Sequence, residues 1–136
     1  MNKINLLSLV TLSLILTITA CHKDDPEKNG GKYSDGIFIV NEGIFQTGIG
    51  TISFIDRTND SVSYDIFFAA NGRPLGNVAQ SMAIFEGKAF IVVNNASKVE
   101  VVDAATFESL AAITGLTSPR YFLGITQSKG YVTDWA

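Results

Sequence analysis

The sequence predicts an all-β fold: a β-propeller of four-stranded antiparallel blades, present as an incomplete amino-terminal part of about two blades. Three observations predict it. From Gly36 onward the chain runs in short segments rich in β-branched and aromatic residues, punctuated by Gly, Asn and Asp. No stretch of helical period is long enough to matter. The segments also repeat. Gly87-Lys88-Ala89-Phe90-Ile91-Val92 recurs 41 residues later as Ser128-Lys129-Gly130-Tyr131-Val132-Thr133, and Thr51-Ile52-Ser53-Phe54-Ile55-Asp56 matches Lys98-Val99-Glu100-Val101-Val102-Asp103 at a shift of 47. A period of about 40 to 47 residues holding four strands is the pattern of a propeller blade. An antiparallel sandwich is the alternative, but sandwiches do not repeat their strand sequences at a fixed period.

The strands fall at 36–41, 50–56 and 61–68, then after a longer loop at 80–85, 88–94, 98–103, 108–113, 121–126 and 129–135. Each is short and apolar, and each is bounded by turn formers. Glu86-Gly87 and Gln127-Ser128 are the tight connections of hairpins. Asn95-Ala96-Ser97 and Asp103-Ala104-Ala105-Thr106 join the next pairs, so the order is a meander. In blade register, 80–113 is one complete blade, 36–68 gives three strands of the blade before it, and 121–135 gives two strands of the next.

Ahead of the strands lies a different kind of sequence. Met1-Asn2-Lys3 carries one positive charge, and Ile4 to Ala20 is uncharged, with only Asn5, three Thr and two Ser as polar residues. This is a signal-peptide pattern. The same run is near the lower length limit of a spanning helix, so an uncleaved anchor is the alternative. Ile18-Thr19-Ala20-Cys21 resembles a lipobox, in which the Cys sulfur takes a diacylglyceryl group, and it divides the chain into a signal peptide (1–20), a flexible tether (21–35) and the β domain (36–136). A lipidated Cys21 anchors the chain to a membrane through its acyl chains, each CH₂ adding about 0.8 kcal/mol. The tether is short, charged and without large apolar side chains through Lys32. Its Lys23-Asp24-Asp25 resembles the export signal that sends lipoproteins of Bacteroidota to the outer face of the outer membrane; a plain solvated linker is the other reading.

Composition removes whole classes of function. A formal net charge of -3 offers no basic field to a phosphate backbone, so nucleic acid is not an expected partner. One cysteine rules out an internal disulfide framework or a thiolate metal cluster. The one histidine, His22, lies in the tether without a partner at ligand spacing, so neither a metal site nor a Ser-His-Asp triad is expected. Gly43-Ile44-Phe45-Gln46-Thr47-Gly48-Ile49-Gly50 lacks the Lys-Ser/Thr end of a phosphate loop. Asp56 and Asp103 stand at equivalent blade positions, which points to Asx-type turn capping rather than catalysis. No catalytic residue, metal site or cofactor is expected.

Lys129-Gly130-Tyr131-Val132-Thr133-Asp134-Trp135 resembles the Tyr-Val-Thr-Asn repeat of the YncE-like, or YVTN, β-propeller family, with Asp134 in place of Asn. Ile113 to Arg120 and Val101-Val102-Asp103 are similar to that family's blade pattern. A narrower resemblance is to its lipid-anchored cell-surface members in Bacteroidota, which open like Ile39-Val40-Asn41-Glu42-Gly43 and continue like Asn71-Gly72-Arg73-Pro74-Leu75-Gly76. Some of those bind corrinoids (vitamin B12) and hand them to an outer-membrane transporter. The resemblance implies a class of protein and maps no ligand contact onto these residues.

What remains is a binding surface where strand ends converge. The candidates are polar or aromatic residues at strand ends without a repeating structural counterpart: Asn41, Glu42, Arg73, Asn94, Asn95, Arg120 and Trp135. Arg120 follows Pro119 and can serve either as a fixed donor to an anionic or carbonyl group or as a cap between blades. Trp135 is either a stacking platform or a core residue. Asn71-Gly72-Arg73-Pro74 reads most simply as a turn. The expectation is an extracytoplasmic lipoprotein that binds a small-molecule ligand, a glycan or an outer-membrane transporter without catalysing a reaction. A propeller enzyme such as a lactonase or a quinone-dependent dehydrogenase is the alternative of another class.

Overall fold

The computed structural model describes residues 30–135, and they form an all-β chain of three antiparallel sheets. The first sheet orders β1 (Gly36–Asn41), β2 (Thr51–Asp56) and β3 (Val62–Ser63); the second is a meander of β4 (Ala79–Phe85), β5 (Lys88–Val93), β6 (Lys98–Asp103) and β7 (Ser109–Ile113); the third pairs β8 (Pro119–Thr126) with β9 (Lys129–Asp134). The hairpins expected at Glu86-Gly87 and Gln127-Ser128 pair Phe85 with Lys88 and Thr126 with Lys129. The second sheet is thus a complete four-stranded unit, and the repeat sets the correspondence of the others. β2 stands where β6 stands, and β9 where β5 stands.

One strand expectation is corrected. The segment 61–68 keeps only Val62–Ser63 as strand, and Ile66–Asn71 is a short helix, α1. The Asp65 side chain accepts a hydrogen bond from the Phe68 amide, and Gly72 closes the helix in the left-handed conformation at φ 65°. The helical turn carries the consecutive residues Ile66 and Phe67 together into the core, where both are fully buried. The tether also ends sooner than the expected boundary at 35. Tyr33 is buried against Phe54 and Phe107, and its amide donates to the Ala105 carbonyl. The expected signal peptide, Cys21 and the expected tether as far as residue 29 lie outside the described residues. Among the described residues no helix is long and apolar enough to cross a membrane.

The main core lies between the first two sheets. Phe38, Ile52 and Phe54 meet Ala89, Ile91, Val93, Val102 and Phe107, with α1 adding Ile66 and Phe67. Phe38 stacks on Phe107 with ring centroids 5.4 Å apart. The second and third sheets meet through Phe90 and Phe122, stacked at 3.8 Å. Beside them Gly124 lies against the Phe85 ring, where a Cβ would collide with the ring carbons. The two sheets close together only because that position carries no side chain.

Candidate functional site

The antiparallel order brings the ends of β1, β5, β7 and β9 to one end of the sheets, together with the starts of β2, β4, β6 and β8. Asn41, Glu42, Asn94, Asn95, Arg120 and Trp135 all sit at that end. Short hydrogen bonds join its loops. The Glu42 carbonyl accepts from the Ala79 amide at 3.2 Å, and the Asn77 side chain donates to the Gly48 carbonyl at 2.6 Å. Asn95 donates to the Asn77 side-chain carbonyl at 3.1 Å. Asn41 donates to the hydroxyls of Thr51 and Ser53, so it braces the first hairpin. Asn94 is buried and fully engaged: its amide donates to the Pro119 carbonyl at 2.9 Å and to the Ser118 hydroxyl at 3.0 Å, tying β5 to the start of β8.

At the start of both inner strands the ladder carries one extra residue. Ala79 and Ser81 face Val93 and Val92, leaving Gln80 over; Pro119 and Tyr121 face Asp134 and Thr133, leaving Arg120 over. Bulges re-aim the side chain they carry. Here they turn the two residues toward each other, and Arg120 Nη1 donates to Gln80 Oε1 at 2.7 Å. The Arg120 guanidinium also lies 3.8 Å from the centre of the Trp135 ring. Trp135 is 69% exposed, so it is not a core residue. Its backbone is held by a bond from its amide to the Ser118 carbonyl, while Asp134 accepts from the Thr117 and Ser118 amides and fixes the loop leading into β8.

Arg73 belongs elsewhere. Its Nη2 contacts Glu100 Oε1 at 2.6 Å and donates to Ser109 Oγ at 3.0 Å, on the outer strands of the second sheet. Glu100 is 1% exposed and also receives Lys98 Nζ at 2.6 Å and the Ser109 hydroxyl at 2.6 Å. Burial pushes its carboxyl up, but the bonds from Arg73, Lys98 and Ser109 together outweigh burial and hold it below its ordinary value. Asp56 and Asp103 cap turns as expected. Asp56 accepts from the Thr58 hydroxyl and amide, which lowers its pKa, and Asp103 accepts from the Ala105 and Thr106 amides.

Residues 35–136 match the model of a domain of unknown function, DUF5074. The chain belongs to the DUF5074 family. No curated protein matches it. Within this DUF5074 chain, Gln80, Ser118 and Asp134 complete the end at which the candidates gather, and sequence reasoning passed over them. Gln80 had a signal: Ala79-Gln80-Ser81 aligns with Pro119-Arg120-Tyr121 at a shift of 40, each with a long polar residue at the same place.

Proposed function

We propose that this is an extracytoplasmic, cell-surface lipoprotein whose propeller-type domain binds a ligand or a protein and catalyses no reaction. The observation that carries the reading is the gathering of Asn41, Glu42, Asn95, Arg120 and Trp135 at one end of the sheets, in a setting of loop amides rather than of nucleophiles and bases. Among the described residues no three His, Cys, Asp or Glu side chains gather to hold a metal ion. The membrane part of the proposal rests on the Ile18-Thr19-Ala20-Cys21 motif and the charged tether behind it, and the resemblance of the blade repeat to YncE-like surface proteins supports an outer-membrane partner.

The test is protease shaving of intact cells that express the native gene, with mass spectrometry of the amino-terminal peptide. A triacylated Cys21 peptide, together with an ectodomain released by protease outside the cell, is the expected outcome. An unlipidated chain held in the membrane through residues 4–20 would overturn the lipoprotein reading. Ligand screening of the released domain then begins with corrinoids, followed by glycans.

A further inference from the structure

We propose that Arg120 and Trp135 form a seat for a monoanionic ligand that carries a carboxylate beside a planar ring. This deepens the reading of that end as a binding face and rests on it. Arg120 is committed on one edge only. Its Nη1 is taken by the neutral side chain of Gln80, whereas its Nε is buried and has no hydrogen-bond partner. No carboxylate among the described residues pairs with it, since Asp134 turns to the Thr117 and Ser118 amides. An unmatched buried donor of a charged group destabilises the fold, and a ligand that fills it recovers that loss.

The planar edge formed by Nε and Nη2 matches the two oxygens of a carboxylate. A single arginine calls for a single negative charge. Glu42 at the same end and the net charge of -3 oppose a dianion such as a phosphate monoester. Trp135 supplies the second contact. One face of its indole covers the guanidinium, and the rest of the ring is open to solvent, available to a flat ring. In the observed conformation the indole lies over the guanidinium, so a carboxylate on Nε would require a new rotamer of the Trp135 side chain, which the bond from the Trp135 amide to the Ser118 carbonyl does not prevent.

Trp135 is the only tryptophan in the chain, so its emission reports on the seat alone. The experiment titrates the unaltered protein with benzoate and with its neutral isostere benzamide, then repeats both titrations on Arg120→Gln after a circular-dichroism check of fold. Benzoate is expected to change the emission saturably and to bind at least about tenfold more tightly than benzamide, and Arg120→Gln is expected to remove that difference. If the variant does not fold, the comparison of the two probes on the unaltered chain decides. Equal binding of benzoate and benzamide would overturn the carboxylate assignment while leaving the end of the sheets as a binding face. Absence of any saturable benzoate response would overturn the seat itself, and neither result touches the shaving experiment.

Discussion

Arg73→Ala separates a structural arginine from a binding one, and its size can be worked from the contacts. Arg73 gives Glu100 one short contact at 2.6 Å and a longer one at 3.5 Å, bonds Ser109, and lies over the Phe67 ring at 4.9 Å. A hydrogen bond between charged groups contributes about 1.5–3 kcal/mol. The Arg73 side chain is 45% exposed, so solvent screening brings that to about 1 kcal/mol. The contact with Phe67 adds about 0.5–1 kcal/mol. Glu100 keeps Lys98 and Ser109 and is not left unpaired, so the full penalty of breaking a buried pair does not apply. The expected loss is therefore about 2 kcal/mol, which for a domain of this size lowers Tm by about 10 °C. The sign of the pH dependence follows from Glu100, whose folded pKa lies below its ordinary value of 4.5. Its stabilisation is fully present above the unfolded value and is lost as pH falls through the folded one. The penalty of Arg73→Ala should thus be full at pH 7 and shrink below the folded pKa. Thermal melts of both proteins at pH 7 and at acid pH measure it. A Tm within about 2 °C of the parent at pH 7, or a penalty that persists undiminished in acid, would refute the assignment.

Other substitutions probe other links. Phe107→Ala removes a fully buried ring that touches Tyr33 and Phe38, and should cost about 4 kcal/mol in urea unfolding. Asp103→Ala frees the Ala105 and Thr106 amides and should cost about 1 kcal/mol, read by the same method. Gly124→Ala places a methyl against the Phe85 ring and should lower Tm measurably, since that contact cannot yield without parting the second and third sheets. Cys21→Ser should abolish incorporation of radiolabelled palmitate in growing cells; retained label would place the lipid elsewhere or remove it from the account.

Most of the strand order was legible because its signals are local. Period-2 runs end at Glu86-Gly87 and Gln127-Ser128, where only a tight turn fits, and the β-sheet register follows from those turns. The strand over 61–68 went wrong because Ile66-Phe67-Phe68 reads as an apolar strand core. Asp65, which caps the start of the helix, reads as part of that strand, and Gly72, which closes it, as part of the turn at Asn71-Gly72-Arg73-Pro74. Tyr33 was assigned to the tether because burial by a distant partner, the Ala105 loop, leaves no trace in its neighbours. The site was half legible. Strand-end position selected Arg120 and Trp135, but their mutual contact arises from a bulge, and a bulge is invisible until both strands of the ladder are known. Arg73 was selected on the same criterion and has a structural partner, Glu100, which the repeat hid by aligning it with Ser53.

The repeat also separates packing from exposure at a single position. Phe90 and Tyr131 are equivalent at the shift of 41, each on the second strand of its sheet, and Phe90 faces the third sheet. Phe90 meets Phe122 there at 3.8 Å, whereas Tyr131 is exposed, with Lys129 Nζ 5.3 Å from its ring centre. Equivalent aromatic positions therefore contribute differently according to their neighbours. Phe90→Ala should cost about 2 kcal/mol, because it removes both buried area and a stacked pair, and Tyr131→Ala should cost less than about 0.5 kcal/mol. Equal costs in urea unfolding would mean that the interface between the second and third sheets contributes little to stability. The third sheet would then be a loosely attached hairpin, Arg120 would be poorly fixed against Gln80, and the seat it forms with Trp135 would lose the preorganisation on which its affinity depends.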